Sequence, residues 1–113
     1  MKSYEVKSYT DCPFAKAQKI VSGKWNMLII YLLSDETLRF GELHRRLPDM
    51  TQATLSKQLK SLEEHGIIHR NVFNQIPPKV EYSLTEIGQK FLPVLDALEK
   101  WSKEYECYNS NTK

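Results

Sequence analysis

The sequence predicts a mainly α fold with a small β-hairpin wing, a winged helix-turn-helix, and three observations carry that prediction. Two short amphipathic helices stand on either side of Pro48, about three residues apart. Two runs rich in β-branched and aromatic residues follow, separated by a Pro-Pro tip, and a long helix with an apolar stripe ends the chain. With 113 residues, 41% of them apolar and 27% charged, the chain has the material for a single domain, 1–113, around one core.

In chain order, Asp11 is the N-cap candidate of a first helix that starts at Cys12 or Pro13 and ends at Val21, with Phe14, Ala17, Ile20 and Val21 as its stripe. Ser22-Gly23 breaks it. From Lys24 to Leu33 a second helix is apolar nearly all round, which predicts a central element covered by the others. Leu38-Arg39-Phe40 is a short extended piece, and Gly41 to Leu47 a third helix that Pro48 stops. Thr51 caps a fourth helix running to His65, with Leu55, Leu59 and Leu62 at i, i+4 and i+7, and Gly66 just past its end. Ile67 to Phe73 and Lys79 to Leu84 read as the hairpin, so that residues 39–84 hold the helix-turn-helix and wing.

Thr85 caps a final helix. Along it Ile87, Phe91, Val94, Leu98, Trp101 and Tyr105 recur at steps of 4, 3, 4, 3 and 4, a heptad-like seam that Leu92 and Leu95 widen. A seam this wide predicts a partner helix from a second subunit, with residues 12–22, Phe14 among them, and 85–107 forming the dimer interface. Pro93 is expected to bend this helix, and Asn109 to Lys113 to fray.

Composition narrows the function classes. No apolar run reaches the length of a membrane span, the longest being Met27 to Leu33, and Met1 to Thr10 is charged, so a cytoplasmic protein with no membrane partner is expected. Cys12 and Cys107 are too far apart for a CxxC or zinc pattern. His65 and His69 straddle Gly66 and share no helical face, and no glycine loop cradles a phosphate, so neither an enzyme nor a cofactor is expected. Net charge is +2, but its distribution is uneven. Residues 1–38 carry five cations and four acids, 39–80 carry seven and four, and 81–113 carry four and six. The positive excess sits where the helix-turn-helix is predicted, as a surface meeting DNA phosphate requires.

The residues suited to that contact lie opposite the leucines of the fourth helix. Projection at 100° per residue puts Ala53, Lys57, Lys60 and Ser61 there, with Gln52 and Thr54 at its exposed start. Gln52 has the amide to pair with adenine N6 and N7, and Lys57 the reach for guanine or a phosphate. Thr51 stands with these DNA-facing residues; its hydroxyl is expected to be used as the cap, and the helix N-terminus itself favours a phosphate. Arg45 and Arg46 are read as backbone clamps. Arg39 is either a clamp or, the favoured reading, part of a structural ion pair, and Arg70 is expected to pair with an acid. Asn74, Gln75 and Lys79 on the wing are placed to touch phosphate or a minor groove, or else form an ordinary polar loop. Cys12 is either a buried small residue or a thiol whose anion the helix dipole favours and Asp11 opposes. As a thiol switch it would react with oxidants or electrophiles, with Cys107 of a second subunit as the bridging partner.

Cys12-Pro13, Gly23-Lys24-Trp25, Arg39-Phe40 before Glu42-Leu43, Leu55 to Leu62, Gly66-Ile67-Ile68 with Arg70, Pro77-Pro78 with Val80-Glu81-Tyr82, and Leu84-Thr85 with Gly88 and Trp101 stand in one order. That ordered set, spanning 12–105, resembles the HxlR family of bacterial regulators, a branch of the MarR-like winged-helix proteins. Met50-Thr51 departs from the family's aliphatic residue followed by Ser. The resemblance implies a homodimer on double-stranded DNA, a roughly palindromic operator and contacts exchanged between terminal helices. The expected function is a sequence-specific transcriptional regulator, acting as a repressor, with an oxidant or small molecule as effector. The competing expectation is a winged-helix protein-interaction module that binds no DNA.

Overall fold

The computed structural model describes residues 11–111. Its elements are α1 (Pro13–Val21), α2 (Asn26–Leu32), β1 (Leu38–Arg39), α3 (Phe40–Arg46), α4 (Gln52–Glu64), β2 (Ile68–Phe73), β3 (Lys79–Leu84), α5 (Glu86–Gln89) and α6 (Leu92–Asn111). The fold class is the predicted one, mainly helical with a small antiparallel sheet. The sheet has one strand more than a hairpin, in the order β1-β3-β2. β2 pairs with β3 from Ile68 opposite Leu84 to Phe73 opposite Lys79. The extended piece before α3 is the third strand, with Leu38 opposite Tyr82 and Arg39 opposite Glu81.

The core joins α2, α3 and α4 to the base of the sheet, with α1 packing Ile20 and Val21 against it. Ile29 and Ile30 of α2, Leu38 of β1, Leu43 of α3 and Leu55, Leu59 and Leu62 of α4 are its fully buried side chains. The i, i+4, i+7 leucines predicted for α4 are therefore the face that fixes this helix against the rest.

Both ends of α4 are closed by side-chain or backbone bonds. Thr51 is the N-cap, its hydroxyl oxygen accepting from the Thr54 N–H at 3.1 Å. At the other end Gly66 has φ 75°, its N–H donates to Glu63 O, and the Ile67 N–H donates to Leu62 O, both at 2.9 Å. These two bonds form a Schellman motif, which needs the left-handed conformation that glycine adopts without a Cβ penalty. Thr85 then ties this end to α5. Its hydroxyl faces the Gly66 and Ile67 carbonyls at 2.7 and 3.0 Å and accepts from the Gly88 N–H at 3.1 Å. Gly88 is buried so close to the Ile67 carbonyl that a Cβ would collide with it.

The structure corrects five expectations. Cys12, not Asp11, is the N-cap of α1, in extended backbone with ψ 127° and no side-chain cap bond. Pro13 at the first helical position pushes the residue before it into that conformation and so fixes the start. The second helix starts at Asn26 rather than Lys24, and it is not covered all round. Met27, Leu28 and Tyr31 are exposed while Asn26, Ile29 and Ile30 are buried. The turn after α3 spans Leu47 to Thr51, five residues rather than about three. The final helix is two helices, α5 and α6, separated at Lys90 and Phe91. Pro93 does not bend a continuous helix. Its missing N–H costs nothing in the first turn of a new one, where that donor has no partner inside the helix. The fifth correction is the tail, since α6 stays helical through Asn111; Thr112 and Lys113 lie outside the described residues. Among the described residues no helix is long and apolar enough to cross a membrane.

Candidate nucleic-acid interface

The turn between α3 and α4 is held by two buried apolar residues, Leu47 and Met50, and by hydrogen bonds to their backbone. Met50 is 2% exposed. Its N–H donates to Leu47 O at 3.0 Å, and its carbonyl accepts from the His44 ring, Nε2, at 2.8 Å. A carbonyl can only accept, so that ring nitrogen carries the proton. His44 sits on α3 and thereby sets the angle at which α4 leaves the turn.

Opposite its leucines α4 presents Ala53, Lys57 and Lys60, with Gln52 flanking them at the helix start, all exposed. Two of the expected reading residues are less available. Thr54 is half-buried and its hydroxyl accepts from Thr51 Oγ1 at 2.9 Å, so both threonines serve the cap. Ser61 is also half-buried, about two turns further along α4, and its carbonyl accepts from the His65 N–H. Ser56 was not anticipated and belongs to the same surface. It is exposed and stands four residues after Gln52 and four before Lys60, a spacing that could have identified it.

The flanking cations divide into two groups. Arg46, expected as a clamp, pairs with Glu36 at 3.1 Å, both side chains nearly half exposed. Lys79, expected on phosphate, pairs with Glu81 at 3.3 Å and lies 4.9 Å above the Phe73 ring. Arg45 is exposed and takes part in neither of these ion pairs. Arg39 and Arg70 make no ion pair among the described residues either, contrary to the expectation for both. Arg70 lies opposite Tyr82, and the acid opposite Arg39, Glu81, is taken by Lys79. The wing tip carries Asn74 and Gln75, both exposed, beside Ile76, which is fully exposed, and holds no charged residue.

The two cysteines belong to different helices. Cys12 is half-buried at the start of α1, while Cys107 is exposed on α6, and neither is in a disulfide. At 100° per residue Cys107 shares the α6 face of Lys103 and Glu104 and points about 140° away from the Trp101 and Tyr105 seam. On that seam Val94, Leu98, Trp101 and Tyr105 are exposed, as are Ile87 on α5 and Phe14 on α1, whereas Phe91 and Leu95 are half-buried against the core.

Comparison with known proteins agrees with this geometry. Residues 20–110 match the HxlR-like helix-turn-helix family. An uncharacterised HTH-type transcriptional regulator of Halalkalibacterium halodurans is 47% identical over 98 residues, which is 86% of this chain and 87% of that protein. The redox regulator HypR in its oxidised form superposes with a TM-score of 0.78 at 41% identity, covering 82% of this chain and 96% of HypR. The reduced form of the transcriptional regulator YodB from Bacillus subtilis superposes with a TM-score of 0.75 at 35% identity, covering 83% of this chain and 93% of YodB. YodB has also been solved after diamide treatment and with quinone bound. With the match running from α1 to the last turn of α6 and the relatives being transcriptional regulators rather than enzymes, the chain belongs to the HxlR-like helix-turn-helix family.

Proposed function

We propose that this helix-turn-helix regulator binds a roughly palindromic operator as a homodimer, represses from it, and responds to oxidants or electrophiles through Cys12. The observation that carries the DNA-binding reading is the α4 surface. Gln52, Ser56, Lys57 and Lys60 are exposed on a helix fixed by three buried leucines, a capped start and a glycine-closed end. Such a helix enters a major groove without losing further conformational freedom. Gln52 and Lys57 read base edges, Ala53 contacts a thymine methyl, and Arg45 grips the backbone beside them. Asn74 and Gln75 touch the flanking groove through hydrogen bonds rather than charge. Arg46 and Lys79 reach phosphate only by exchanging their present acid partners.

The dimer reading is supported by the exposed apolar residues of α6, α2 and α1, and the thiol reading by Cys12 at a helix start and by the oxidised, diamide-treated and quinone-bound forms of the related regulators. A bridge between Cys12 of one subunit and Cys107 of the other requires two thiols to lose two protons and two electrons, which diamide accepts as it becomes the hydrazine.

Selection of bound duplexes from random DNA, with and without diamide, tests the reading. Two half-sites about 10 base pairs apart are expected, with affinity falling steeply as salt rises. Absence of any retained DNA at low salt overturns the DNA-binding reading in favour of a protein-interaction module. Diamide is expected to weaken binding and to give a covalent dimer on non-reducing gels that Cys12→Ser abolishes. Binding indifferent to diamide removes the thiol switch and leaves the regulator standing.

A further inference from the structure

A polar cleft opens between β1, the first turn of α3 and β3, lined by Thr37, Arg39, Gly41, Glu42, Arg45 and Glu81. Arg39 enters it from the short strand. Arg45 enters from α3, one turn after Gly41, and its guanidinium Nη1 lies 3.8 Å from the position a Cβ would take on that glycine. Arg45 thus lies back along its own helix over Gly41, in the cleft that Arg39 also lines.

The cleft also holds two acids, and both are already engaged. Glu42 Oε1 accepts the Arg39 backbone N–H at 2.8 Å. Glu81 Oε2 pairs with Lys79 at 3.3 Å. Among the described residues neither guanidinium forms an ion pair with either of these carboxylates, although both line the same cleft. Paired guanidinium groups present planar forks of N–H donors, the geometry that matches the oxygens of a phosphate. The cleft's place in the fold indicates whose phosphate. α3 is the first helix of the helix-turn-helix, the one that crosses the DNA backbone when the second lies in the major groove.

We infer that Arg39 and Arg45 together form a clamp for one DNA backbone phosphate beside the bases under α4. This rests on the DNA-binding reading above and adds to it a residue, Arg39, and a built pocket. The clamp contributes affinity without sequence preference, because a phosphate carries no base identity. It also couples the sheet to the DNA, since Arg39 belongs to β1.

The test compares wild type with Arg39→Gln, Arg39→Lys and Arg45→Gln by fluorescence anisotropy on the selected operator and on an unrelated duplex, across a potassium chloride series. Thermal melts check that each variant folds. Arg39→Gln and Arg45→Gln are expected to weaken both duplexes alike, by roughly tenfold. Because both arginines hold one phosphate, each single variant is expected to make the slope of log affinity against log salt shallower by less than about 0.9 per protomer, and the double variant Arg39→Gln/Arg45→Gln by about that full amount. Arg39→Lys keeps the slope and loses part of the affinity, because the charge remains and the fork does not. An unchanged slope in Arg39→Gln overturns the clamp while wild-type binding still upholds the DNA reading; failure of wild type to bind either duplex removes both. A second arm titrates inorganic phosphate into the DNA-free protein and follows the arginine Nε–Hε resonances. Weak, millimolar binding that competes with the duplex supports the clamp. Saturation well below millimolar phosphate with no effect on the duplex assigns the cleft to a free phosphoester and overturns the DNA assignment.

Discussion

Lys57 illustrates what a single residue can be expected to do. It lies opposite Leu55 and Leu59 on α4, is exposed, and has no acid partner among the described residues. Lys60 is one turn further on the same surface. Replacing both by Ala removes two cations and touches no buried contact, so operator affinity is expected to fall by roughly 10- to 100-fold with the oligomeric state unchanged in sedimentation. Unaltered affinity would place the reading face elsewhere on the helix. The pair at Arg46 and Glu36 behaves differently. A surface ion pair contributes about 0–1 kcal/mol, so phosphate can replace the carboxylate at small cost and with small gain. These distinctions were only half legible in the sequence. Helical projection gave the face and named Gln52, Lys57 and Lys60 correctly as exposed. It could not show that Thr54 serves the cap, or that Lys79 is held by Glu81 and Phe73. Those depend on which rotamers the neighbouring backbone allows.

At the scale of elements, the reading helix depends on its two ends. Thr51→Ala removes the acceptor for the Thr54 N–H and is expected to cost about 1 kcal/mol in urea unfolding. Gly66→Ala forces a Cβ into a left-handed conformation, with nothing within 4 Å to clash, so its cost of about 1–2 kcal/mol is a backbone effect alone. Gly66→Asn should recover part of it, since asparagine tolerates that conformation; equal losses for Ala and Asn would show that something other than φ decides the position. Both ends were readable because capping chemistry is local, a threonine before an apolar run and a glycine after it. β1 was not readable as a strand, because two residues carry no periodicity and their pairing is with β3, more than forty positions away. The break between α5 and α6 was missed for a related reason. The 4, 3, 4 spacing of Ile87, Phe91, Val94 and Leu98 continues through it, and only Pro93 marked the site, where its ring suits the start of a helix as well as a bend in one.

The whole molecule is longer than its size requires. A compact chain of this length has a radius of gyration of about 13 Å, whereas this one has 16.9 Å and a longest axis of 54 Å. The difference is α6, about 30 Å of helix that meets α2 near its start and is exposed at every residue from 96 to 110. Its seam holds Leu98 and the stacked Trp101 and Tyr105 rings, 5.4 Å apart, and α2 leaves Met27, Leu28 and Tyr31 in solvent beside it. Apolar area on this scale is what the proposed dimer would cover. It also explains why α2 reads as covered all round in the sequence: periodicity reports which faces are apolar, not which chain covers them. Trp101 is 61% exposed, so Trp101→Glu leaves the fold of one protomer intact and places a charge in the seam. The variant is expected to sediment as a monomer with an unchanged circular dichroism spectrum. Its affinity for a two-half-site duplex should fall by roughly 10²-fold or more, while affinity for a single half-site stays as it was, because the second contact is lost as effective concentration and not as chemistry. A variant that remains dimeric places the interface outside the seam. A monomer that keeps full operator affinity means that the two reading helices are not acting as a pair, and the length of α6 then needs a different partner.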